Sequence, residues 1–248
     1  MKRLYDFLLQ HKHFYILLLL IPIHMWFLHS ELTLTPRYIT QIPFDEQIPF
    51  IPVFVVPYLL WFAYVPFGLI YIGIHSKKEF YKLFLFLFGG MIVSNGIFTV
   101  FPNAQYLRPV IRSNDPFSML VKFIYASDTP TDVFPSMHVI NSIAVNAALQ
   151  HSRAFSAKKR RKAASHILTI LICLSTVFIK QHAVLDVGAG ILVSGFFYFP
   201  LYLLPVRRIK NRRSSTYWGN IVRRISAPTF DAAKGARPQP FQEVERGG

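Results

Sequence analysis

Two short stretches of this chain hold the residue types of group-transfer chemistry: FPSMHV, Phe134 to Val139, and KQHAVLDV, Lys180 to Val187. In the second, His182 and Asp186 are four residues apart, so on one helix their side chains share a face. A carboxylate placed there accepts a hydrogen bond from one imidazole nitrogen, fixes the tautomer and leaves the other nitrogen as nucleophile or base. In the first stretch, Pro135 suits the first turn of a helix, where its missing N–H has no partner to lose. The N–H groups of Ser136, Met137 and His138 would then point outward from a helix N-terminus, which favours an anion. Ser136 adds a hydroxyl and His138 a titratable proton. Arg108 and Lys180 offer positive charge to phosphate oxygens. Together these are a nucleophilic histidine with an orienting carboxylate, a second histidine for acid–base work, and an anion cradle. That is the equipment for moving a phosphoryl group.

Such groups must be brought to one place, and the hydropathy pattern says how. Of the 248 residues, 52% are hydrophobic and 16% aromatic, with a mean hydropathy of +0.35. The apolar residues fall in six blocks: Phe14–Leu28, Ile51–Ile74, Leu83–Phe101, Pro135–Leu149, Ala163–Ile179 and Ala183–Val206. A bilayer-spanning helix needs about 20 mostly apolar residues, so the second, third and sixth blocks span alone. The other three need flanking residues. The basic start and apolar run of the N-terminus resemble a signal peptide, but no small-x-small site follows Trp26, Phe27 and Leu28, which predicts an uncleaved first span. Cys173 is the single cysteine and lies in the fifth block, so no intrachain disulfide forms.

A net charge of +15 invites a nucleic-acid reading, and the placement of the charges argues against it. With the N-terminus in the cytosol, 22 of the 27 lysines and arginines fall on the cytosolic side and 5 on the other, namely Arg37, Arg108, Arg112, Lys122 and Lys180. That asymmetry predicts six spans with both termini cytosolic. The basic character then reflects topology and attraction to anionic lipid. On this layout Arg108, His138, Lys180, His182 and Asp186 all reach the non-cytosolic face from separate parts of the chain. The loop Pro102–Phe134 is the longest outer segment, and loops of that length usually have a function. The tail from Arg207 begins as a basic stretch suited to the inner leaflet, anchored by Tyr217, Trp218 and Ile221. From Ser226 its composition is that of a disordered segment.

FPSMH and STVFIKQHAVLD resemble the second and third signature motifs of the type 2 phosphatidic acid phosphatase superfamily, Pro-Ser-Gly-His and Ser-Arg-x5-His-x3-Asp. FPNAQYLRP matches only the end of the first motif, Lys-x6-Arg-Pro, through Arg108 and Pro109. Phe101 stands at the lysine position, Thr176 at the arginine position of the third motif, and Met137 at the frequent glycine. The form without the arginine is also similar to the sphingolipid-synthase branch, which transfers a phospho-headgroup. The resemblance implies a six-helix membrane bundle and a metal-independent reaction without cofactor. In it His182 attacks phosphorus, Asp186 holds the ring, and His138 protonates the departing lipid oxygen. Arg108, Lys180, Ser136 and the Met137 amide would bind the phosphate oxygens. The substrates it implies are lipid phosphates: phosphatidic acid, polyprenyl phosphates or diphosphates, phosphatidylglycerol phosphate, or a sphingolipid-type acceptor system.

Plainer readings compete. Taken singly, each histidine fits an interfacial residue, and Lys180 fits a lysine that snorkels to the span end. Two imidazoles and a carboxylate could hold a metal, although the His-x-x-x-His spacing of a helical metal site is missing. A non-catalytic transporter or scaffold keeping a relic site is a further reading; a through-pathway would need polar groups at mid-depth, whereas these are confined to one face. His24, His29, His75, His151 and His166 read as interfacial histidines without partners, and Asn141, Ser142 and Asn146 as interhelical hydrogen-bonding groups. The expectation is thus an all-α, six-span integral membrane enzyme, placed in the cell membrane, acting on a lipid phosphate. Its parts would be a cytosolic segment 1–12, a catalytic membrane domain 13–206 and a basic tail 207–248. Nothing in the sequence speaks to oligomeric state.

Overall fold

The computed structural model describes residues 11–204, so nearly all of the expected cytosolic segment 1–12 and the whole of the expected basic tail fall outside the described residues. Within them the chain is helical. The elements that matter are α1 (Lys12–Thr33), β1 (Tyr38–Ile39), α2 (Pro43–Gln47), α3 (Pro52–His75), α4 (Lys77–Val100), β2 (Asn103–Ala104), α5 (Pro116–Ser127), α6 (Met137–His151), α7 (Lys159–Phe178) and α8 (Val184–Leu203). Among the described residues five of these, α1, α3, α4, α7 and α8, are long and apolar enough to cross a bilayer. The protein is an all-α integral membrane bundle.

The fourth expected span differs from the others, and the reason is physical. Block Pro135–Leu149 forms the 15-residue α6, only ~22 Å long at 1.5 Å per residue against a hydrocarbon core of about 30 Å. Helix α6 is the central pillar of the bundle, packed against α3, α4, α7 and α8. Val139, Ile140, Ala144, Val145, Ala148 and Leu149 are wholly buried. A helix sheathed in protein does not have to match the lipid thickness. Close approach is made possible by small residues on its neighbours: a Cβ on Gly90 of α4 would stand 2.5 Å from Cγ2 of Ile140.

Polar groups lock α6 to α7 near its C-terminal half. Ser165 Oγ donates to Asn146 Oδ1 at 2.8 Å, and Asn146 Nδ2 pairs with His166 Nδ1 at 2.9 Å. Asn146 therefore bonds between helices as expected, while His166, expected to be partnerless, is its partner. Ser142 corrects the expectation: its hydroxyl donates to the His138 carbonyl one turn back, at 2.7 Å, within the same helix.

The segments outside the bundle are ordered by short pairings that end at the site. Strands β1 and β2 run parallel, with Tyr38 opposite Asn103 and Ile39 opposite Ala104. Ala104 also bridges antiparallel to Thr131. The long loop 102–134 is thus tied back on itself on both sides of α5.

Candidate active site

The start of α6 is set by its own sequence. Ser136 is the N-cap in extended conformation, and its hydroxyl accepts the Val139 N–H at 3.5 Å. Pro135 therefore stands just before the cap, two positions ahead of the first helical residue and not in the first turn as the sequence suggested. The first N–H groups of the helix, on Met137 and His138, have no intrahelical acceptor. The approach to the cap is held by one side chain. Asn103, fully buried, accepts the N–H groups of Val133 and Phe134 on Oδ1 at 2.9 and 2.8 Å, and donates from Nδ2 to the carbonyls of Phe101 and Phe134.

The second half of the site is the tight connection between α7 and α8. The carbonyl of Thr176 accepts both the Gln181 and His182 N–H groups, at 2.8 and 3.0 Å. To turn back this sharply Lys180 adopts φ 56°, in the left-handed region, which costs a non-glycine residue roughly 1–2 kcal/mol. Three buried groups compensate. Lys180 Nζ donates to the Asp45 carbonyl at 2.6 Å, Asp45 Oδ1 accepts the Val184 N–H at 2.8 Å, and Gln105 Nε2 donates to the Lys180 carbonyl at 2.9 Å. Asn103, Gln105 and Asp45 were not singled out from sequence. Their signal, if any, was that Asn103 and Gln105 lie inside the partial first motif, whose job here is to brace the other two.

These braces bring the expected groups together. The rings of His138 and His182 face one another with centroids 5.6 Å apart and planes at 64°. Against expectation, His182 lies in the turn before α8 and not on the helix with Asp186, and its Nδ1, 3.6 Å from Asp186 Oδ2, makes no hydrogen bond; the residue lines the cavity. His138 is held between the rings of Tyr58 and Trp61, at 4.6 and 4.4 Å, and its buried Nε2 has no hydrogen-bond partner. Ser136 donates its N–H to the Asp186 carbonyl at 3.0 Å, so the two helix starts are joined directly. Gly190, one turn into α8, allows this: a Cβ there would meet the Ser136 carbonyl oxygen at 3.0 Å.

Both histidines and Met137 line a cavity of about 440 Å³ that extends between α1 and α3. The two expected phosphate-binding cations do not line it. Lys180 is committed to Asp45, as above. Arg108 donates to the carbonyls of Tyr125 and Asp128, at 3.3 and 2.8 Å, and to the Gln181 side chain, with its guanidinium over the Tyr125 ring. Burial lowers its pKa from the ordinary arginine value. Phe101, at the family's lysine position, is stacked on Tyr38 at 3.9 Å, and Thr176 bonds to the Cys173 carbonyl of its own helix. Ser136 is fully buried beneath the site.

The cavity instead carries Glu31, Asp128 and Asp132. Burial raises the pKa of Asp128, with Arg108 opposing and Glu31 adding to the rise. Burial, and then Glu31, push Asp132 up to about 6. Asn141, expected to bond between helices, also faces the cavity, and its buried Oδ1 is unpartnered. These acidic residues were invisible as a group in sequence because they come from α1 and from the loop after α5. Among the described residues no group of three or more His, Cys, Asp or Glu is placed to hold a metal ion.

The arrangement brings two imidazoles within 5.6 Å of one another, with a hydrogen-bonded link between the elements that carry them. No curated protein and no solved structure matches the chain. The family model of the PAP2 superfamily matches residues 81–210, from within α4 past the end of α8, and so covers both histidine-bearing stretches. The match covers over half of the chain, with His138, His182 and Asp186 inside its bounds, and the protein is a member of the PAP2 superfamily.

Proposed function

We propose that this protein breaks a phosphoric ester bond of a membrane lipid in two in-line steps, with His182 as the nucleophile and a phosphohistidine between them. The observation that carries this reading is the pairing of His138 and His182 across one cavity, ring centroids 5.6 Å apart. In the first step His182 Nε2 attacks phosphorus while His138 protonates the departing lipid oxygen. In the second, His138 takes the proton of the incoming water or alcohol as it displaces the histidine. Asp186 stabilises the positive ring electrostatically. The N–H groups of Met137 and His138 at the start of α6 face the equatorial oxygens, where phosphoryl transfer gains most of its rate. Membership of the PAP2 superfamily supports a phosphatase or phosphotransferase.

The site would open on the non-cytosolic face, with both termini in the cytosol. The supporting observation is the 22-to-5 partition of lysine and arginine. The test is direct. Purified protein in chelator is mixed with a panel of radiolabelled phospholipids and quenched in base. An acid-labile, base-stable phosphoprotein and a dephosphorylated lipid product are expected with the wild type and absent with His182→Ala. Equal product release from both proteins would end the assignment.

A further inference from the structure

The lining of the cavity bears on which lipid it takes. Three carboxylates, Glu31, Asp128 and Asp132, share it with His138 and His182, and among the described residues no lysine or arginine lines it. A phosphate monoester carries close to two negative charges at neutral pH. Brought between the histidines, it would meet like charge from Glu31 and Asp132 with no lysine or arginine in the lining to offset it. Arg108 does not line the cavity; it eases Asp128 alone, and its Nη1 and Nη2 are bonded to carbonyls and to Gln181.

Independent atoms point the same way. Asn141 is 5% exposed and Asp132 7%. Asn141 Oδ1 and Asp132 Oδ2 are buried acceptors in the cavity wall with no donor. Leaving such groups unpaired is costly, so these acceptors suit a ligand rich in donors or positive charge. Glu31 already accepts the Thr129 hydroxyl at 2.6 Å and has a second oxygen to offer. Around these acceptors the wall is aromatic, with Phe27, Phe62, Trp61 and Phe123 among its residues. Aromatic faces together with carboxylates are the surroundings that attract an organic ammonium ion.

We propose that the cavity takes a phosphodiester lipid with an ammonium-bearing headgroup, the phosphate lying between His138 and His182 and the ammonium against Glu31, Asp128 and Asp132. This deepens the two-step reading above and rests on it. The bond from His182 Nε2 to phosphorus forms as the bond from phosphorus to the diacylglycerol oxygen breaks, and that oxygen takes the His138 proton. The phospho-ammonium group stays on His182. Water or a lipid alcohol then displaces it and returns a proton to His138. The chemistry is headgroup cleavage or transfer, and diacylglycerol is the first product.

The experiment presents phosphatidic acid, phosphatidylglycerol, phosphatidylethanolamine and phosphatidylcholine with identical acyl chains in one detergent. It measures diacylglycerol release by the wild type and equilibrium binding to His182→Ala. Ethanolamine or choline lipid is expected to exceed both anionic lipids by at least about tenfold in each readout. Phosphatidylglycerol offers hydroxyl donors without positive charge, so parity with it overturns the proposal. A preference for phosphatidic acid, with release still dependent on His182, also overturns it and leaves the two-step reading standing. If no lipid yields a phosphohistidine, the two-step reading fails, and binding to His182→Ala decides the headgroup on its own. Glu31→Gln and Asp128→Asn are expected to bring the ratio of ammonium to anionic lipid toward one. An unchanged ratio in folded variants removes those carboxylates from the site. The wild-type panel gives its answer whether or not the variants fold.

Discussion

His182 Nδ1 and Asp186 Oδ2 stand 3.6 Å apart, and that same oxygen already holds the Ala183 N–H at 2.7 Å. The carboxylate is therefore the cap of α8 and, on the proposed reading, also the counter-charge of the ring. Its Oδ1 is buried without a partner. The two duties can be separated. In Asp186→Asn an amide oxygen can still cap Ala183 while the charge is gone. Phosphoenzyme formation in a single turnover is expected to slow by about 10–100-fold, since an acid–base arrangement contributes roughly 10²–10⁴-fold in all, with little change in thermal midpoint. Asp186→Ala loses the cap as well and is expected to cost about 1 kcal/mol of stability in addition. An Asp186→Asn protein of full rate would leave the carboxylate a cap and nothing more.

His138 is assigned the proton of the leaving oxygen, and that role depends on how poor the leaving group is. His138→Ala is expected to lower turnover of an alkyl phosphoester by about 10²–10⁴-fold. With a nitrophenyl ester, whose oxygen leaves without protonation, the same variant should form its phosphoenzyme at close to the wild-type rate. If both substrates suffer equally, His138 is a structural neighbour, filling the space between Tyr58 and Trp61.

Asn103 touches none of the reacting atoms, so it is a positioning residue. Its four hydrogen bonds fix residues 133 and 134 ahead of the α6 cap. In Asn103→Ala the Val133 and Phe134 N–H groups lose their acceptor in a buried place, at about 1–3 kcal/mol for an unsatisfied group. Asn103→Asp keeps that acceptor and loses only the donors to Phe101 and Phe134. Activity is therefore expected to fall in kcat with little change in KM, more in Asn103→Ala than in Asn103→Asp. A merely structural role would lower the thermal midpoint of Asn103→Ala and leave the kcat of the folded fraction unchanged.

Asp132 supplies a pH dependence with a definite sign. Its carboxyl is raised from an ordinary 3.8 to about 6 by burial and then by Glu31, so the folded protein prefers it protonated. The stability this gives is fully present below the unfolded pKa and is lost as pH rises from about 4 to 6. Above pH 6 the ionised group opposes folding by up to about 2–3 kcal/mol at 1.4 kcal/mol per unit. Asp132→Asn removes that opposition and retains a side chain suited to φ 53°. Its thermal midpoint is expected to exceed that of the wild type at pH 7–8, and the difference should vanish near pH 4. A difference that does not depend on pH would remove Asp132 from this account.

Much of the site was legible because it was written locally. Pro135 beside Ser136 marks a helix start, and the offset of four keeps His182 near Asp186, although His182 stands in the turn before α8 and not on the shared helix face expected of it. Apolar blocks and the one-sided basic residues likewise follow from the solvent, since lipid demands helices and the inner leaflet attracts cations. The fourth block was read as a span like the others, because composition does not distinguish lipid around a helix from protein around it. What sheathes α6 is fixed only by the neighbours that fold against it.

Sequence alone therefore determined the chemistry on offer: two imidazoles and a carboxylate, set at or just before the starts of two helices. It could not say which charges face the substrate. Lys180 and Arg108 were the right residue types for phosphate, yet each is turned to protein carbonyls, while Glu31, Asp128 and Asp132 meet in the cavity from two distant segments. A local pattern fixes the direction of a side chain on its own helix. Which groups share a cavity is settled by loop paths and long-range hydrogen bonds, and those exist only once the bundle has closed.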